Sequence, residues 1–196
     1  MSDRERPASA RKQELLDRAY KQVLAHGLSE VSLRPLAAAI GSSPRVLLYL
    51  FDSKDGLVRA LLAKARSDEL TMLEQRRASE NPVGFPESVT TVWQWLADDA
   101  HRPLLCLWVE AYGRSLVEPK GAWAGFARQT VDDWLAVLAD SQTGRRRRTT
   151  TGSVERTLAL AVLRGALLDL LATGDRHRCD VAVAAYVASL HVATRS

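Results

Sequence analysis

The sequence has 196 residues, of which 46% are hydrophobic, 26% charged and 6% aromatic, and its net charge is +4. This balance is typical of a globular protein and excludes a collagen-like, fibrous or largely disordered chain. The length suits one large domain or two small ones. The most apolar run, Thr157 to Thr173, contains Arg164 and Asp169, so it predicts a buried helix and no membrane span.

Cysteine usage and the amino-terminal residues indicate a reduced compartment. Cys106 and Cys179 fit neither a disulfide framework nor a zinc-ligand spacing. Cys106 lies in an apolar stretch, so we expect an inert core thiol. The first residues are charged and lack the apolar stretch of a signal peptide. We therefore expect a cytoplasmic protein with no metal and no other cofactor.

Apolar spacing and capping signals predict four helices in the first part of the chain. The first begins at Ser9 and ends before Gly27. Ser32 caps the second, and Gly41 ends it. Ser43 caps the third, with Pro44 at its first position, where the missing N–H costs nothing. Ser53 caps the fourth, and the predicted ranges of the last three are 33–40, 44–50 and about 54–77.

The rest of the chain is also predicted to be helical. Five further helices are expected at about 87–98, 102–117, 120–139, 153–173 and 179–194, with loops over 81–86 and 144–152. The second loop contains Arg145, Arg146, Arg147 and Arg148, and we expect it to be solvated and mobile. The prediction is a nine-helix, all-α protein without internal repeats.

Residues 32–54 carry the most informative pattern, two short helices joined by a glycine turn after a packing helix. This is the arrangement of a helix-turn-helix, whose second helix enters the major groove of DNA. Residues 1–54 hold nine basic and six acidic residues, so most of the positive excess lies here. Arg45, in the first turn of the second helix, is placed to contact guanine O6 and N7. Ser32, Ser43, Pro44, Tyr49 and Lys54 complete the predicted contacts, mainly to phosphates.

These residues resemble the DNA-binding signature of TetR-family transcriptional regulators. The resemblance is carried by Gly27, Leu33, Leu36, Ala37, Ile40, Gly41, Ser43, Leu47, Phe51, Ser53, Lys54 and Leu57. It implies a dimeric repressor whose carboxy-terminal domain binds a small molecule. Arg34 falls where some members read a base. The family usually has Tyr where Leu48 stands, whereas here Tyr49 follows one place later, at a position that also touches DNA in family members.

The carboxy-terminal region is expected to bind an effector and a second copy of the chain. Its aromatic residues recur at helical spacing and predict an apolar cavity wall, made by Trp95, Trp108, Tyr112, Trp123, Phe126 and Trp134. The last two helices, about 153–194, are apolar nearly all round, so we expect them to form a four-helix bundle in a homodimer. The predicted domains are residues 1–55 for DNA binding and 56–196 for ligand binding and dimerisation, joined by the helix at about 54–77.

Three functions are compatible with the sequence. The first is a homodimeric repressor that an apolar or aromatic effector releases from a palindromic operator in double-stranded DNA. The second is an enzyme or small-molecule carrier with a vestigial helix-turn-helix. The third is a DNA-binding regulator without an effector. The four histidines have no metal spacing, and neither a glycine-rich phosphate loop nor a nucleophile elbow occurs, so we predict no catalytic residues.

Overall fold

The computed structural model describes residues 5–28, 32–78 and 84–193, and within these ranges it contains helices and no strand. Ten α-helices follow one another, together with short 3-10 helices at Asp99–His101 and Gly121–Trp123. The α-helices are α1 (Glu5–His26), α2 (Leu33–Ala39), α3 (Pro44–Phe51), α4 (Lys54–Ala78), α5 (Phe85–Leu96), α6 (Arg102–Val117), α7 (Phe126–Asp140), α8 (Gly144–Arg147), α9 (Thr150–Thr173) and α10 (Arg176–Ala193). The all-α prediction is confirmed.

Capping positions explain why the helices α2, α3 and α4 begin and end close to the predicted residues. The Ser43 hydroxyl accepts a hydrogen bond from the Val46 N–H at 3.3 Å, and Pro44 is the first residue of α3. The Ser53 hydroxyl accepts one from the Gly56 N–H at 2.9 Å in the first turn of α4. Ser32 is the N-cap residue of α2, but its side chain makes no capping hydrogen bond. Serine side chains therefore cap the starts of α3 and α4, whereas the predicted side-chain cap of α2 by Ser32 does not form.

Two predicted helix boundaries are wrong for identifiable reasons. Ser9 lies inside α1 and does not begin it, because Glu5, Arg6 and Pro7 already form its first turn, where proline is tolerated. The predicted helix over 120–139 is interrupted. Gly121 and Gly125 have φ angles of 82° and 76°, which a right-handed helix does not accept. α7 therefore begins only at Phe126. Of the predicted loop over 81–86, residues 81–83 lie outside the described ranges, and Phe85 and Pro86 already belong to α5.

The predicted arginine loop contains a helix, α8. Thr143 and Thr149 accept capping hydrogen bonds from the N–H groups of Arg146 and Gly152, so they cap α8 and α9. Arg146 forms an ion pair with Glu155, and Arg147 Nη1 lies 2.8 Å from an Asp140 carboxylate oxygen. The prediction of a loop is wrong over Gly144–Arg147, because sequence spacing does not reveal these two carboxylates on neighbouring helices. The predicted solvent exposure is confirmed for Arg145, Arg147 and Arg148.

The chain divides into two compact units. The first comprises Met1–Glu69 and Pro103–Ala127, and the second comprises Leu70–Arg102 and Arg128–Ser196. The core of the first contains fully buried side chains from α1, α3, α4 and α6, namely Leu15, Val23, Leu47, Phe51, Leu57, Leu61 and Leu105. The core of the second draws on α5, α7 and α9, with Val89, Val92, Trp95, Leu138 and Leu163. No helix in the described ranges has the length and apolar character needed to cross a membrane.

Candidate nucleic-acid interface

Residues 32–54, which we call the reading head, pack α3 against α2 through one buried side of each helix. Leu36, Ala37 and Ile40 are buried on the α2 side, and Leu47 and Phe51 on the α3 side. The turn between the helices is tight. Gly41 adopts a left-handed φ of 67°, and the Ser42 N–H donates to the Ala37 carbonyl at 2.8 Å. This packing leaves the opposite side of α3 facing solvent.

The outward side of α3 carries the predicted DNA contacts. Arg45 is exposed, and Tyr49, one turn further along the same side, is 79% exposed. Tyrosine is rarely so exposed in the absence of a partner, because its ring is amphipathic and prefers partial burial. In the described part of the chain, neither Arg45 nor Tyr49 takes part in an ion pair or side-chain hydrogen bond. Both groups are therefore available to a ligand.

The other predicted contacts lie at helix beginnings. Arg34 and Lys54 are exposed near the start of α2 and at the first residue of α4. Among the described residues, no carboxylate pairs with either of them. Ser43 is exposed, but its hydroxyl accepts the Val46 N–H. The structure thus brings Arg34, Arg45 and Lys54 into one segment as unpaired cations, an arrangement suited to phosphates and base edges.

A network of side-chain hydrogen bonds that the sequence does not predict supports the turn between α2 and α3. Arg18 Nη1, in α1, donates to the Ile40 carbonyl at 3.3 Å, where α2 ends. Glu14 accepts hydrogen bonds from Arg18 at 2.6 Å and from Arg11 at 2.7 Å. The hydrogen bond from Arg11 lowers the pKa of Glu14. The helical spacing of these three charges is visible in the sequence, but the carbonyl that they support is not.

Four of the six predicted effector residues lie in the first unit. The rings of Trp108 and Tyr112 stack with centroids 5.0 Å apart. The Arg114 guanidinium lies 5.5 Å from the centroid of the Trp123 ring, within cation–π distance. Phe126 is buried. Their contact with an effector stays a prediction.

The remaining two predicted effector residues, Trp95 and Trp134, lie in the second unit. Trp95 stacks on His101 at 4.5 Å, and its ring centroid is 6.3 Å from that of Trp134. The Trp95 indole N–H is buried and has no hydrogen-bond partner among the described residues. The neighbouring Trp93 differs, because its N–H donates to Asp180 at 2.7 Å.

The expected core position of Cys106 is wrong. Cys106 is exposed, although its neighbours in the sequence are buried, namely Leu104, Leu105, Leu107 and Trp108. It falls on the remaining solvent side of α6, which an apolar stretch of five residues cannot reveal. Cys179 is buried. Within the ranges that the structure describes, no three His, Cys, Asp or Glu side chains group as a metal site.

Comparisons with known proteins agree with this geometry. The family model for bacterial regulatory proteins of the tetR family matches residues 15–61. The multidrug binding protein EbrR, solved with proflavin, is 25% identical, with 89% of this chain and 98% of that chain covered and a TM-score of 0.65. A search of curated proteins finds no match.

Two further solved structures share the fold at lower identity. A TetR transcription regulator from Haloarcula marismortui is 18% identical, with 90% of this chain and 94% of that chain covered and a TM-score of 0.66. Salmonella enterica GusR is 17% identical, with 91% and 94% covered and a TM-score of 0.67. The matched DNA-binding segment and the shared all-helical fold show that the chain is similar to TetR-family transcriptional regulators.

Proposed function

We propose that the protein is a homodimeric repressor that binds a palindromic DNA operator and is released from it by a small apolar or aromatic effector. The observation that carries the proposal is the outward side of α3, where Arg45 and the 79% exposed Tyr49 stand without protein partners in the described structure. In this proposal residues 1–55 bind DNA, residues 56–196 bind the effector and the second copy, and no residue has a catalytic role.

Each exposed cation of the reading head has a distinct proposed role. Arg45 reads a guanine through two hydrogen bonds, since a guanidinium matches the O6 and N7 acceptors. Arg34, at the start of α2, reads a second base. Lys54 and the Tyr49 hydroxyl bind phosphates, and the positive end of the α3 dipole, where Ser43 and Pro44 begin the helix, adds a favourable charge there.

Dimerisation is supported by an exposed apolar stripe on α9 and α10, which we call the apolar face. Val154, Leu158 and Leu168 on α9 are 51%, 52% and 49% exposed, and Val181 on α10 is 56% exposed. Small exposed residues lie between them, and a Cβ placed on Gly165 would meet nothing within 4 Å. The members of the face are Val154, Leu158, Ala161, Gly165, Leu168, Val181, Ala185 and Ala188. A contiguous apolar stripe with small residues suits close packing against the same stripe of a second copy.

The effector class follows from the aromatic side chains. Stacked and offset rings, such as Trp108 on Tyr112, provide flat apolar contact for a planar ligand. EbrR, 25% identical, is solved with proflavin, which is a planar aromatic compound. We propose that release follows because the effector binds more tightly to a protein state whose reading heads do not fit the operator.

Operator selection from random DNA, followed by titration of planar aromatic compounds, tests the proposal. The expected result is a palindromic site bound with strong salt dependence, and a compound that releases it. Selection of no site would contradict DNA regulation. Selection of a site from which none of a broad aromatic panel releases the protein would contradict effector control.

A further inference from the structure

We propose that Glu110, in α6, is a positioning residue for DNA binding. Its carboxylate holds the carboxy-terminal end of α1 and thereby sets the orientation of the reading head. The inference rests on the proposed function, because it concerns how the same interface is held for the operator.

The contact joins two parts of the chain that are 82 positions apart. Glu110 Oε2 accepts a hydrogen bond from the backbone N–H of Leu28 at 2.9 Å. Leu28 follows α1 directly and is 4% exposed, so its N–H has little access to water. Hydrogen bonds to a carboxylate are roughly twice as strong as neutral ones. Loss of this acceptor would leave a largely buried N–H unsatisfied.

Gly27 makes the approach of the carboxylate possible. It ends α1 in the left-handed region with a φ of 81°, and its N–H donates to the Val23 carbonyl at 2.8 Å. A Cβ at this position would lie 3.3 Å from Glu110 Oε2. The glycine therefore serves both the turn at the end of α1 and the close approach of α6.

The position of Leu28 connects this contact to the DNA-binding surface. α2 begins at Leu33, five residues further on, and packs against α3. α1 also packs against α2 and α3, so a shift at the end of α1 would change how both helices are held and therefore where Arg45 points. The turn after α6 lies close to the first turn of α4, because a Cβ on Gly121 would lie 3.4 Å from Asp55 Oδ2, next to Lys54.

α6 carries Glu110, which contacts Leu28, on one side and two predicted effector residues on the other. Trp108 and Tyr112 stack one turn apart on one side of the helix, and Glu110, two residues from each, projects from the other side. Glu110 Oε1 lies 4.0 Å from Arg114 Nε, and Arg114 covers the Trp123 ring. A displacement of these aromatic side chains would therefore move the carboxylate that holds Leu28.

The test compares Glu110→Leu, Glu110→Gln and Glu118→Leu in the full-length protein. Glu118 carries the same charge and also pairs with Arg114, at 3.2 Å, so its leucine variant controls for charge and for that pair. Affinity is measured for the selected palindrome and for a single half-site. Because two heads must be aligned only on the palindrome, Glu110→Leu should lose ~10-fold in affinity for the palindrome and far less for the half-site. Glu110→Gln retains an acceptor and should recover most of the loss.

Amide hydrogen exchange provides a second measurement. The Leu28 N–H should exchange slowly in the wild type and in Glu118→Leu and faster in Glu110→Leu. If the leucine variant does not fold, Glu110→Asp withdraws the carboxylate by one methylene and should show the same changes in smaller measure. Equal palindrome affinities for Glu110→Leu and Glu118→Leu, or no recovery with glutamine, would overturn the inference. A wild-type protein that binds no DNA would instead overturn the proposed function.

Discussion

The reading head and the apolar face expose different kinds of surface. On α3 a cation and a tyrosine are exposed together with Val46 and Leu48, and the opposite side of the helix is buried and apolar. On α9 leucine and valine are exposed on one side while Leu163 and Leu167 are buried on the other, so the helix is apolar nearly all round. The first surface suits a charged, hydrated partner, and the second suits a partner that excludes water. A single chain is thus prepared for two partners of different chemistry.

The largest effect on DNA binding is expected for a substitution in the apolar face. A charge in the centre of a closely packed dimer interface is desolvated without a partner, so Leu158→Glu should convert the dimer to a monomer. In the dimer, binding of one reading head to its half-site holds the second head close to the other half-site. A monomer lacks this gain, so operator affinity should fall by about 100-fold or more. Analytical ultracentrifugation and operator titration measure both effects.

Val117→Glu is the matched control, since Val117 is 80% exposed on α6, outside the apolar face. It should leave the dimer intact. Monomeric wild-type protein at micromolar concentration, or a Leu158→Glu variant that stays dimeric, would place the subunit interface elsewhere.

Two neighbouring leucines in α3 differ in burial and should therefore contribute differently to stability. Leu47 is 1% exposed and Leu48 is 41% exposed. Truncation of a buried leucine leaves a cavity, so Leu47→Ala should lower the free energy of unfolding by about 2–5 kcal/mol. Leu48→Ala should cost less than about 1 kcal/mol. Urea unfolding measures the difference. Equal losses would contradict the expected difference in burial, and a larger loss for Leu48→Ala would show that α3 is packed the other way round.

Substitution of two tryptophans in α5 measures what one hydrogen bond contributes to the stability of the second unit. Both rings are buried, but only the Trp93 N–H has an acceptor, Asp180. Replacement by phenylalanine removes similar ring area at both positions. Trp93→Phe should therefore lower the free energy of unfolding by about 1–3 kcal/mol more than Trp95→Phe. Thermal unfolding without effector tests this expectation, and a greater loss at Trp95 would contradict it.

The network below the reading-head turn predicts a small dependence on pH. Its hydrogen bond from Arg11 lowers the pKa of Glu14, so the stabilisation is present above the ordinary glutamate pKa and is lost as the pH falls through the lowered value. The melting temperatures of the wild type and Glu14→Gln should differ slightly at neutral pH and converge in acid. A difference that persists in acid would assign the effect to packing.

Local signals in the sequence predict the reading head well because they act over a few residues. Ser43, Pro44 and Gly41 each determine the backbone of their own turn, and the structure places them as expected. The contacts of Arg18 with Ile40 and of Glu110 with Leu28 depend on how distant helices meet. No spacing rule identifies such partners. The sequence does not predict α8 for the same reason. The carboxylates that pair with its arginines, Glu155 and Asp140, lie on other helices.

We claim that α3 reads the operator sequence, and selection on a randomised operator with Arg45→Ala and Lys54→Ala is the decisive experiment. A base contact that uses two hydrogen bonds is worth about 1–3 kcal/mol of discrimination, whereas a phosphate contact distinguishes no sequence. Arg45→Ala should therefore relax the preference at one base pair in each half-site. Lys54→Ala should retain the preferred site and bind every sequence more weakly, with a smaller salt dependence. An unchanged preferred site with Arg45→Ala would contradict the claim.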